Sequence, residues 1–179
     1  MAADETRWLD DDEQDAWRPL ASVLLTLPAA LDAQLQRQSK LTFYEYVVLA
    51  GLEQAGSDGY RMTDLAAVTS GALSRLSQVV TRMEERQWVA RTPDPLDGRA
   101  TRVVLRPAGA KQLKAAAPGH LETVRRFVFD ELTPTQVQQL RRVMQKISGT
   151  LSGPDSPAPA PAREAPRAAK GPGARTRPR

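Results

Sequence analysis

Six polar side chains lie along one side of a short amphipathic segment near the middle of the chain. Between residues 73 and 85, the apolar residues Leu73, Leu76, Val80 and Met83 recur at helical spacing, which predicts a helix that buries one stripe. Hydroxyl and amide groups can bond phosphate oxygens or base edges, and an arginine can contact guanine O6 and N7 in the major groove. The exposed side of this helix is therefore predicted to contact DNA. Its six residues are Ser74, Arg75, Ser77, Gln78, Thr81 and Arg82.

The preceding segment favours this interpretation over that of an ordinary polar helix surface. The stretch "RMTDLAAVT" predicts a short helix capped by Thr63, and the turn between the two helices contains Gly71. Two short helices joined by a tight turn form a helix-turn-helix, in which the second helix lies in the major groove.

A β-hairpin is predicted after the second helix. The extended segments "WVART" and "RVVL" are separated by "PDPLDGRA", which is rich in turn-forming residues. Arg99 at this tip could enter a narrow minor groove, and Asp97 could pair with Arg99 and hold its direction. Residues 61–111 contain nine basic and five acidic side chains, a net charge of +4. This charge would supply the electrostatic part of DNA affinity.

Longer helices are predicted on the N-terminal side. Apolar residues recur at helical spacing from Trp17 to Leu35. Thr42 and Glu45 have the spacing of a capping box at the start of the next helix, and Gly56 is placed to end it.

Two more helices are predicted on the C-terminal side. Pro107 lies near the first position of one, which we expect to be interrupted at Pro118 and Gly119, with His120 on the surface at the break. A cap at Thr133 with Gln136 three residues later begins the last helix.

The composition excludes several kinds of site. The chain has 179 residues and 41% hydrophobic residues, enough for one ordinary domain with a core. It contains no cysteine, which excludes disulfides and thiolate chemistry. We expect no metal and no cofactor, because no acidic or histidine cluster has metal-ligand spacing. No apolar run approaches the roughly 18 residues of a membrane span, and the N-terminus is acidic, so we expect a cytoplasmic protein without a membrane partner.

These elements, in this order, resemble the MarR family of transcriptional regulators. The segment "RMTDLAAVTSGALSRLSQVVTRMEERQWVARTPDPLDGRATRVVLRPAG" contains the D-L-A helix, the S-R-L-x-x-V-V-x-R-x-E recognition helix, the W-V-x-R strand and the D-x-R wing of that family. The flanking "RWLDDDEQDAW" and "AAAPGHLETVRRFVFDELTPTQVQQL" are similar to actinobacterial-type members. The resemblance extends over roughly residues 7 to 150.

The resemblance implies a homodimer that binds a pseudo-palindromic site on double-stranded DNA, with recognition helices about one DNA turn, roughly 34 Å, apart. A dimer that covers its operator would block polymerase, which favours a repressor. By the same resemblance, the six residues of the polar face match recognition-helix positions, and Asp97 and Arg99 match the wing motif.

Three residues depart from the family pattern. Gln87 replaces the glycine that usually ends the recognition helix, so either a left-handed cap there would be strained or the turn would be rearranged. Arg106 replaces the threonine before the wing-to-helix junction, which removes a cap and adds a positive charge. Gly98 replaces the second wing arginine of many members, which weakens the grip of the wing on phosphate or lets the wing flex.

The expected fold is mainly α-helical, a winged helix-turn-helix with a small β-hairpin wing and with N- and C-terminal dimerisation helices. We divide the chain as follows: an acidic lead-in at 1–15, dimerisation helices at 16–38 and 108–151, the DNA-binding domain at 41–107, and a disordered tail rich in Pro, Ala and Arg at 152–179.

Two other classes of function compete with DNA binding. An enzyme is disfavoured because His120 is the only histidine, and neither a nucleophile elbow nor a phosphate-binding loop is present. A winged-helix module that binds proteins without specific DNA binding is the more serious alternative. Such a module would expose aromatic or aliphatic residues on its recognition face, whereas this one carries Ser, Arg, Gln and Thr.

A small-molecule effector is also implied by the resemblance, because many MarR-like proteins have a pocket between the dimerisation helices and the winged domain. Trp17, Phe43, Tyr44 and Tyr46 could line such a pocket. Aromatic residues at helical spacing are more often core residues, so we assign no ligand-binding residue.

Overall fold

The computed structural model describes residues 6–151 of the chain. Residues 1–5 of the expected acidic lead-in and all of the expected tail at 152–179 lie outside this range. Within it, the chain forms six α-helices and a small antiparallel sheet of three strands. The helices are α1 (Asp11–Ser39), α2 (Phe43–Ala55), α3 (Met62–Val68), α4 (Leu73–Glu85), α5 (Pro107–Val124) and α6 (Pro134–Leu151), and the strands are β1 (Tyr60–Arg61), β2 (Val89–Pro93) and β3 (Thr101–Leu105).

Helix α1 begins within the acidic segment, five residues before the boundary drawn at residue 16. Asp10 is the N-cap and forms a capping box with Glu13, because each side chain accepts a hydrogen bond from the backbone N–H of the other. The acidic side chains at the start of α1 also interact favourably with its positive end. The helix ends at Lys40, which has a left-handed backbone conformation with φ 54°.

The predicted capping box of α2 is confirmed. The Glu45 N–H donates to Thr42 Oγ1 at 3.1 Å, and the Thr42 N–H donates to Glu45 Oε2 at 2.8 Å. Gly56 ends the helix with φ 66°, as predicted. The Phe43 N–H donates to Asp32 Oδ1 at 2.7 Å, which ties the start of α2 to α1.

Helices α3 and α4 form the predicted helix-turn-helix, but the expected cap of α3 is wrong. Helix α3 begins at Met62 after Arg61, so Thr63 lies inside the helix, and no side chain caps its start. Strand β1 leads directly into α3 and leaves no room for the predicted cap. In the turn, Ser70 takes the left-handed conformation with φ 54°.

Gly71 is required in this turn by a close contact with α2. A Cβ atom on Gly71 would lie 1.8 Å from Tyr44 Oη, far inside van der Waals distance. The Tyr44 hydroxyl is itself fixed by a hydrogen bond of 3.1 Å to Thr69 Oγ1. The turn therefore fixes the position of α4 relative to α2.

Helix α4 has the predicted bounds, but its apolar stripe is displaced by part of a turn. Leu73 was expected to be buried but is 47% exposed, whereas Val79, not assigned to the stripe, is 4% exposed. Leu73 is the first residue of the helix, where the chain has not yet reached the core. The residues of α4 that face the core are Leu76, Val79, Val80 and Met83.

The sheet contains the predicted hairpin and one strand that the sequence did not predict. Strand β3 lies between β1 and β2, with Tyr60 opposite Val103 and Arg91 opposite the same residue on the other side. Strand β1 consists of only two residues, too few to give a pattern of alternating side chains.

Helix α5 runs through Pro118 and Gly119 without the expected interruption. Helix α5 packs against α1 at this point, and a Cβ on Gly119 would lie 2.4 Å from Gln38 Oε1 at the end of a flexible side chain of α1. The irregularity occurs later, in a π-helical turn at Arg125–Phe129.

The expected exposure of His120 is also wrong. His120 is only 7% exposed, and its ring centroid lies 4.2 Å from that of Tyr46.

The predicted start of α6 is confirmed. The Thr133 N–H donates to Gln136 Oε1 at 2.9 Å, and the Gln136 N–H donates to Thr133 Oγ1 at 3.3 Å.

Candidate nucleic-acid interface

The outer face of α4 places six side chains in solvent. Four apolar residues on the opposite face anchor the helix to the core, so the polar face is held in a fixed direction. All six residues expected to contact DNA are exposed: Ser74, Arg75, Ser77, Gln78, Thr81 and Arg82.

The C-terminal end of α4 is fixed by two of the residues that depart from the family pattern. Gln87 adopts the left-handed conformation with φ 59°. The Trp88 N–H then donates to Met83 O at 2.9 Å, and the Gln87 N–H donates to Glu84 O at 2.8 Å, the two bonds of a Schellman motif. The left-handed cap is therefore retained without glycine. Arg106 makes no side-chain cap for α5, as expected, and instead donates a hydrogen bond to Gln87 Oε1.

The guanidinium of Arg75 stacks on an aromatic ring of α2. Its guanidinium carbon lies 4.7 Å from the centroid of the Tyr44 ring, a favourable cation–π distance. Such stacking limits the directions in which the exposed guanidinium can point. Arg75 is thus partly ordered before any partner binds.

A cavity of about 660 Å³ lies beside this face, between α4 and helices α1 and α2. Arg75, Gln78 and Arg82 of α4 line one side of it, and Asp32 and Phe43 lie on the other. The same three α4 side chains are therefore accessible from the outer surface and from the cavity.

Ser77 and Thr81 lie on the side of α4 that faces strand β2. Arg91 of β2 reaches this side and donates from Nη2 to Ser77 O at 3.0 Å and to Thr81 Oγ1 at 3.2 Å. Arg91 also forms an ion pair with Glu84. Sequence reasoning missed Arg91, because its contacts depend on how the hairpin packs against the helix.

The wing is held by a buried carboxylate that sequence reasoning also missed. The side chain of Asp94 has 0% exposure. It accepts hydrogen bonds from Arg61 Nε at 2.8 Å and from Arg102 Nη1 at 3.0 Å. Its Oδ1 atom also accepts the N–H groups of Leu96 at 2.9 Å and Asp97 at 3.1 Å. Asp94 thereby joins all three strands to the wing tip.

These contacts change the ionisation of Asp94. The hydrogen bond from Arg61 is the main reason that the pKa of Asp94 is held well below its usual range, and the bonds from the Leu96 N–H and Arg102 add to the effect. The same partner raises the pKa of Arg61. Asp94 is therefore ionised at neutral pH.

Asp97 and Arg99 interact differently from the expected ion pair. Asp97 Oδ1 accepts the backbone N–H of Arg99 at 3.1 Å, and within the described residues no ion pair joins their side chains. Asp97 shapes the turn, and the guanidinium of Arg99 projects into solvent at the tip. Gly98 lies between them, and a Cβ at this position would meet nothing within 4 Å.

Metal-ligating clusters and membrane-spanning helices are both absent from residues 6–151. No group of three or more metal-ligating side chains occurs in this part of the chain. None of the helices described there is long and apolar enough to cross a membrane.

Comparison with known proteins identifies the family. The model of the MarR family matches residues 41–101. The structure of Sco3205, a MarR family transcriptional regulator from Streptomyces coelicolor solved in complex with DNA, is 36% identical with a TM-score of 0.81. The match covers 88% of this chain and 98% of Sco3205. The chain belongs to the MarR family of transcriptional regulators.

Two further solved structures are also similar to this chain. AbsC from Streptomyces coelicolor is 37% identical, with a TM-score of 0.76 over 82% of this chain and 98% of AbsC. CouR from Rhodococcus jostii RHA1, solved bound to p-coumaroyl-CoA, is 25% identical, with a TM-score of 0.66 over 79% of this chain and 95% of CouR. No curated protein matches the chain. The predicted family and the winged helix-turn-helix fold are confirmed, and the family is one of regulators rather than enzymes.

Proposed function

We propose that this protein is a transcriptional regulator that binds a pseudo-palindromic operator as a homodimer and represses transcription. The observation that carries the proposal is the outer face of α4, which is exposed, polar and cationic while the inner face is locked into the core. A polar face of this kind favours DNA over the alternative of a protein-binding module. We further propose that the protein acts in the cytoplasm and without catalysis.

Recognition is assigned to α4 in the major groove. Arg75 and Arg82 carry the long cationic side chains suited to guanine or phosphate, and Gln78 lies between them on the helix surface. Ser74, Ser77 and Thr81 supply shorter polar groups. The relative Sco3205 was solved with DNA, which supports this use of the same fold.

The wing is assigned to the adjacent minor groove. Arg99 projects from its tip, and Asp97 shapes the turn that presents Arg99. Because Asp94 binds Arg61 and Arg102, the base of the wing is fixed to the sheet. An arginine held in this way suits a narrow, electronegative minor groove.

Dimerisation is assigned to the terminal helices, over the expected segments 16–38 and 108–151. An apolar groove of about 770 Å³ lies between α1 and α6, with Leu24, Phe127 and Met144 among its lining residues. All three are exposed in the single chain. Monomeric proteins rarely leave contiguous apolar surface of this kind uncovered, so a second copy is the proposed cover.

A small-molecule effector is assigned to the cavity beside α4. The cavity is lined by Phe43, an aromatic surface, and by Arg75 and Arg82, which would also contact DNA. A ligand that engages these guanidiniums would compete with DNA for them, and it would thus favour the unbound protein. The relative CouR was solved with an aromatic acyl-CoA.

Selection from a random duplex library tests the proposed function. The purified protein should enrich an inverted repeat whose half-sites lie about 10 base pairs apart, because two-fold symmetry sets the separation of the α4 helices. Footprinting of the enriched duplex should show protection of both half-sites. A library that remains random after selection would contradict the proposal.

A further inference from the structure

Arg91 is held rigidly against α4 by several hydrogen bonds. Its backbone N–H donates to Glu84 Oε1 at 2.7 Å, and its Nη1 pairs with the other oxygen of the same carboxylate. Its Nη2 donates to Ser77 O at 3.0 Å and Thr81 Oγ1 at 3.2 Å. The contact of Nη1 with Glu84 and that of Nη2 with Ser77 O hold the guanidinium beside Thr81.

The Thr81 hydroxyl has one proton, and that proton is already used. Thr81 Oγ1 lies 3.0 Å from Ser77 O and must be the donor in this bond, since a carbonyl oxygen can only accept. One lone pair of Oγ1 accepts the N–H of Arg91. The oxygen keeps a second lone pair, and Thr81 is an exposed residue. While both of these bonds are made, Thr81 can accept a further hydrogen bond but has no free proton to donate.

This restriction selects among the groups that DNA presents. Phosphate oxygens, guanine O6 and N7 and thymine O4 are acceptors and need a donor from the protein. Adenine N6 and cytosine N4 carry amino groups, which are the donors of the major groove. An oxygen that only accepts matches these amino groups alone.

We propose that Arg91 is a positioning residue that fixes Thr81 as a hydrogen-bond acceptor, so that Thr81 reads the amino group of an adenine or a cytosine in the major groove. The inference rests on the proposed function and specifies one contact of that interface. Ser77 provides a comparison on the same helix. Its Oγ accepts from Arg91 only at 3.5 Å, and no described contact uses its proton as a donor to the helix, so Ser77 is not restricted to one role.

The test combines protein variants with operator analogues in a double-mutant cycle. Adenines and cytosines of the selected half-site are replaced one at a time by purine and 2-pyrimidinone, which lack the amino group. Affinities are measured by fluorescence anisotropy for wild type, Thr81→Val and Thr81→Ser. Valine keeps the shape of threonine without the hydroxyl, and serine keeps the hydroxyl. The cycle removes the effect of the analogue on base pairing, because every protein meets the same duplex.

At one position of the half-site, loss of the amino group should weaken wild-type binding about 5-fold to 10-fold. The same analogue should lower the affinity of Thr81→Val by less than about 2-fold. Thr81→Ser keeps the hydroxyl, so the analogue should lower its affinity nearly as much as that of the wild type. Thr81 is exposed, so the variants should fold normally, which thermal unfolding checks.

Arg91→Lys tests the positioning role separately. Lysine keeps the positive charge but lacks the planar fork, so binding to a scrambled duplex should be unchanged within about 2-fold. The discrimination between the amino group and its analogue should fall to less than about 2-fold. A general loss of affinity for every duplex, with discrimination intact, would instead mean that Arg91 only supports the fold and would overturn the proposal.

The outcomes separate this inference from the function on which it rests. A wild-type protein that enriches no common sequence contradicts the proposed function. If the wild type and Thr81→Val both bind the operator and lose the same affinity whichever amino group is removed, that result contradicts the role of Thr81 and leaves the proposed function intact. Uracil lacks only the methyl group of thymine. If this replacement weakens wild-type binding more than it weakens binding of Thr81→Ser, Thr81 contacts that methyl group, and the inference is overturned.

Discussion

Replacing Gly98 with arginine should strengthen DNA binding through the wing. A side chain at Gly98 would meet nothing within 4 Å, and Gly98 is not among the residues with positive φ. The structure therefore accepts a larger residue without strain. The position lies next to Arg99 at the tip. In the proposed binding mode, a new guanidinium there would lie close to DNA phosphates.

The size of the effect follows from the charge added. A dimer has two wings, so the variant presents two additional charges. If each neutralises one phosphate, the slope of log affinity against log salt becomes steeper by about 1.8. Between about 50 mM and 200 mM salt, the advantage of the variant over wild type should then shrink by about tenfold.

Fluorescence anisotropy titrations at several salt concentrations measure this slope. Gly98→Gln adds a long neutral side chain at the same site and should leave the slope unchanged. A slope for Gly98→Arg equal to that of wild type would refute the placement of the wing on DNA.

Four further predictions follow from the contacts described above. Arg75→Ala should lower operator affinity by about 1 to 3 kcal/mol, and affinity for scrambled DNA much less, if Arg75 reads a base; unchanged binding in anisotropy titrations would remove it from the interface. The pKa of Asp94 is lowered, so its contribution to stability is fully present above the ordinary carboxyl pKa of about 4 and is lost as the pH falls toward the folded value. Asp94→Asn should accordingly unfold at lower temperature near neutral pH and lose less stability than wild type on acidification, as measured by circular dichroism; melts that match wild type at every pH would argue against the Asp94 network. Burial lowers the pKa of His120, so wild-type stability should fall as the pH drops below about 6.5, and His120→Phe should reduce the difference between melts at about pH 5 and pH 8; an undiminished difference would place that acid sensitivity elsewhere. Gly71→Ala should destabilise the fold by about 1 to 3 kcal/mol because of the contact with Tyr44, and a neutral result in denaturant unfolding would show that the turn can move.

Local sequence signals predicted much of the fold. The capping boxes of Thr42 with Glu45 and Thr133 with Gln136 depend on residues three apart, and both occur. The bounds of α4 were predicted because its apolar residues repeat with the period of a helix over thirteen residues. Signals of this kind survive folding because the interacting groups are already neighbours in the chain.

Contacts between distant segments could not be predicted in the same way. Strand β1 exists because Tyr60 and Arg61 pair with β3, more than forty positions later in the sequence. His120 is buried because α5 packs against α1 and α2, whereas the local pair of proline and glycine indicates a break. In both places tertiary packing overrides the local preference.

The same distinction applies to the candidate interface. The six polar residues of α4 were predicted from the sequence, and the structure exposes all of them. Asp94 was missed because its role depends on Arg61 and Arg102, which reach it from two other strands. Arg91 was missed because its partners lie on the preceding helix.

The most direct test of the central claim is a titration of the full-length protein with DNA from upstream of its own gene and with a scrambled duplex. Fluorescence anisotropy would be recorded at several salt concentrations, with the stoichiometry determined at saturation. The account predicts one dimer per site and an affinity for the upstream duplex that persists at salt concentrations where binding to the scrambled duplex is lost. Equal and equally salt-sensitive binding to both duplexes, and to any operator selected from a random library, would contradict it.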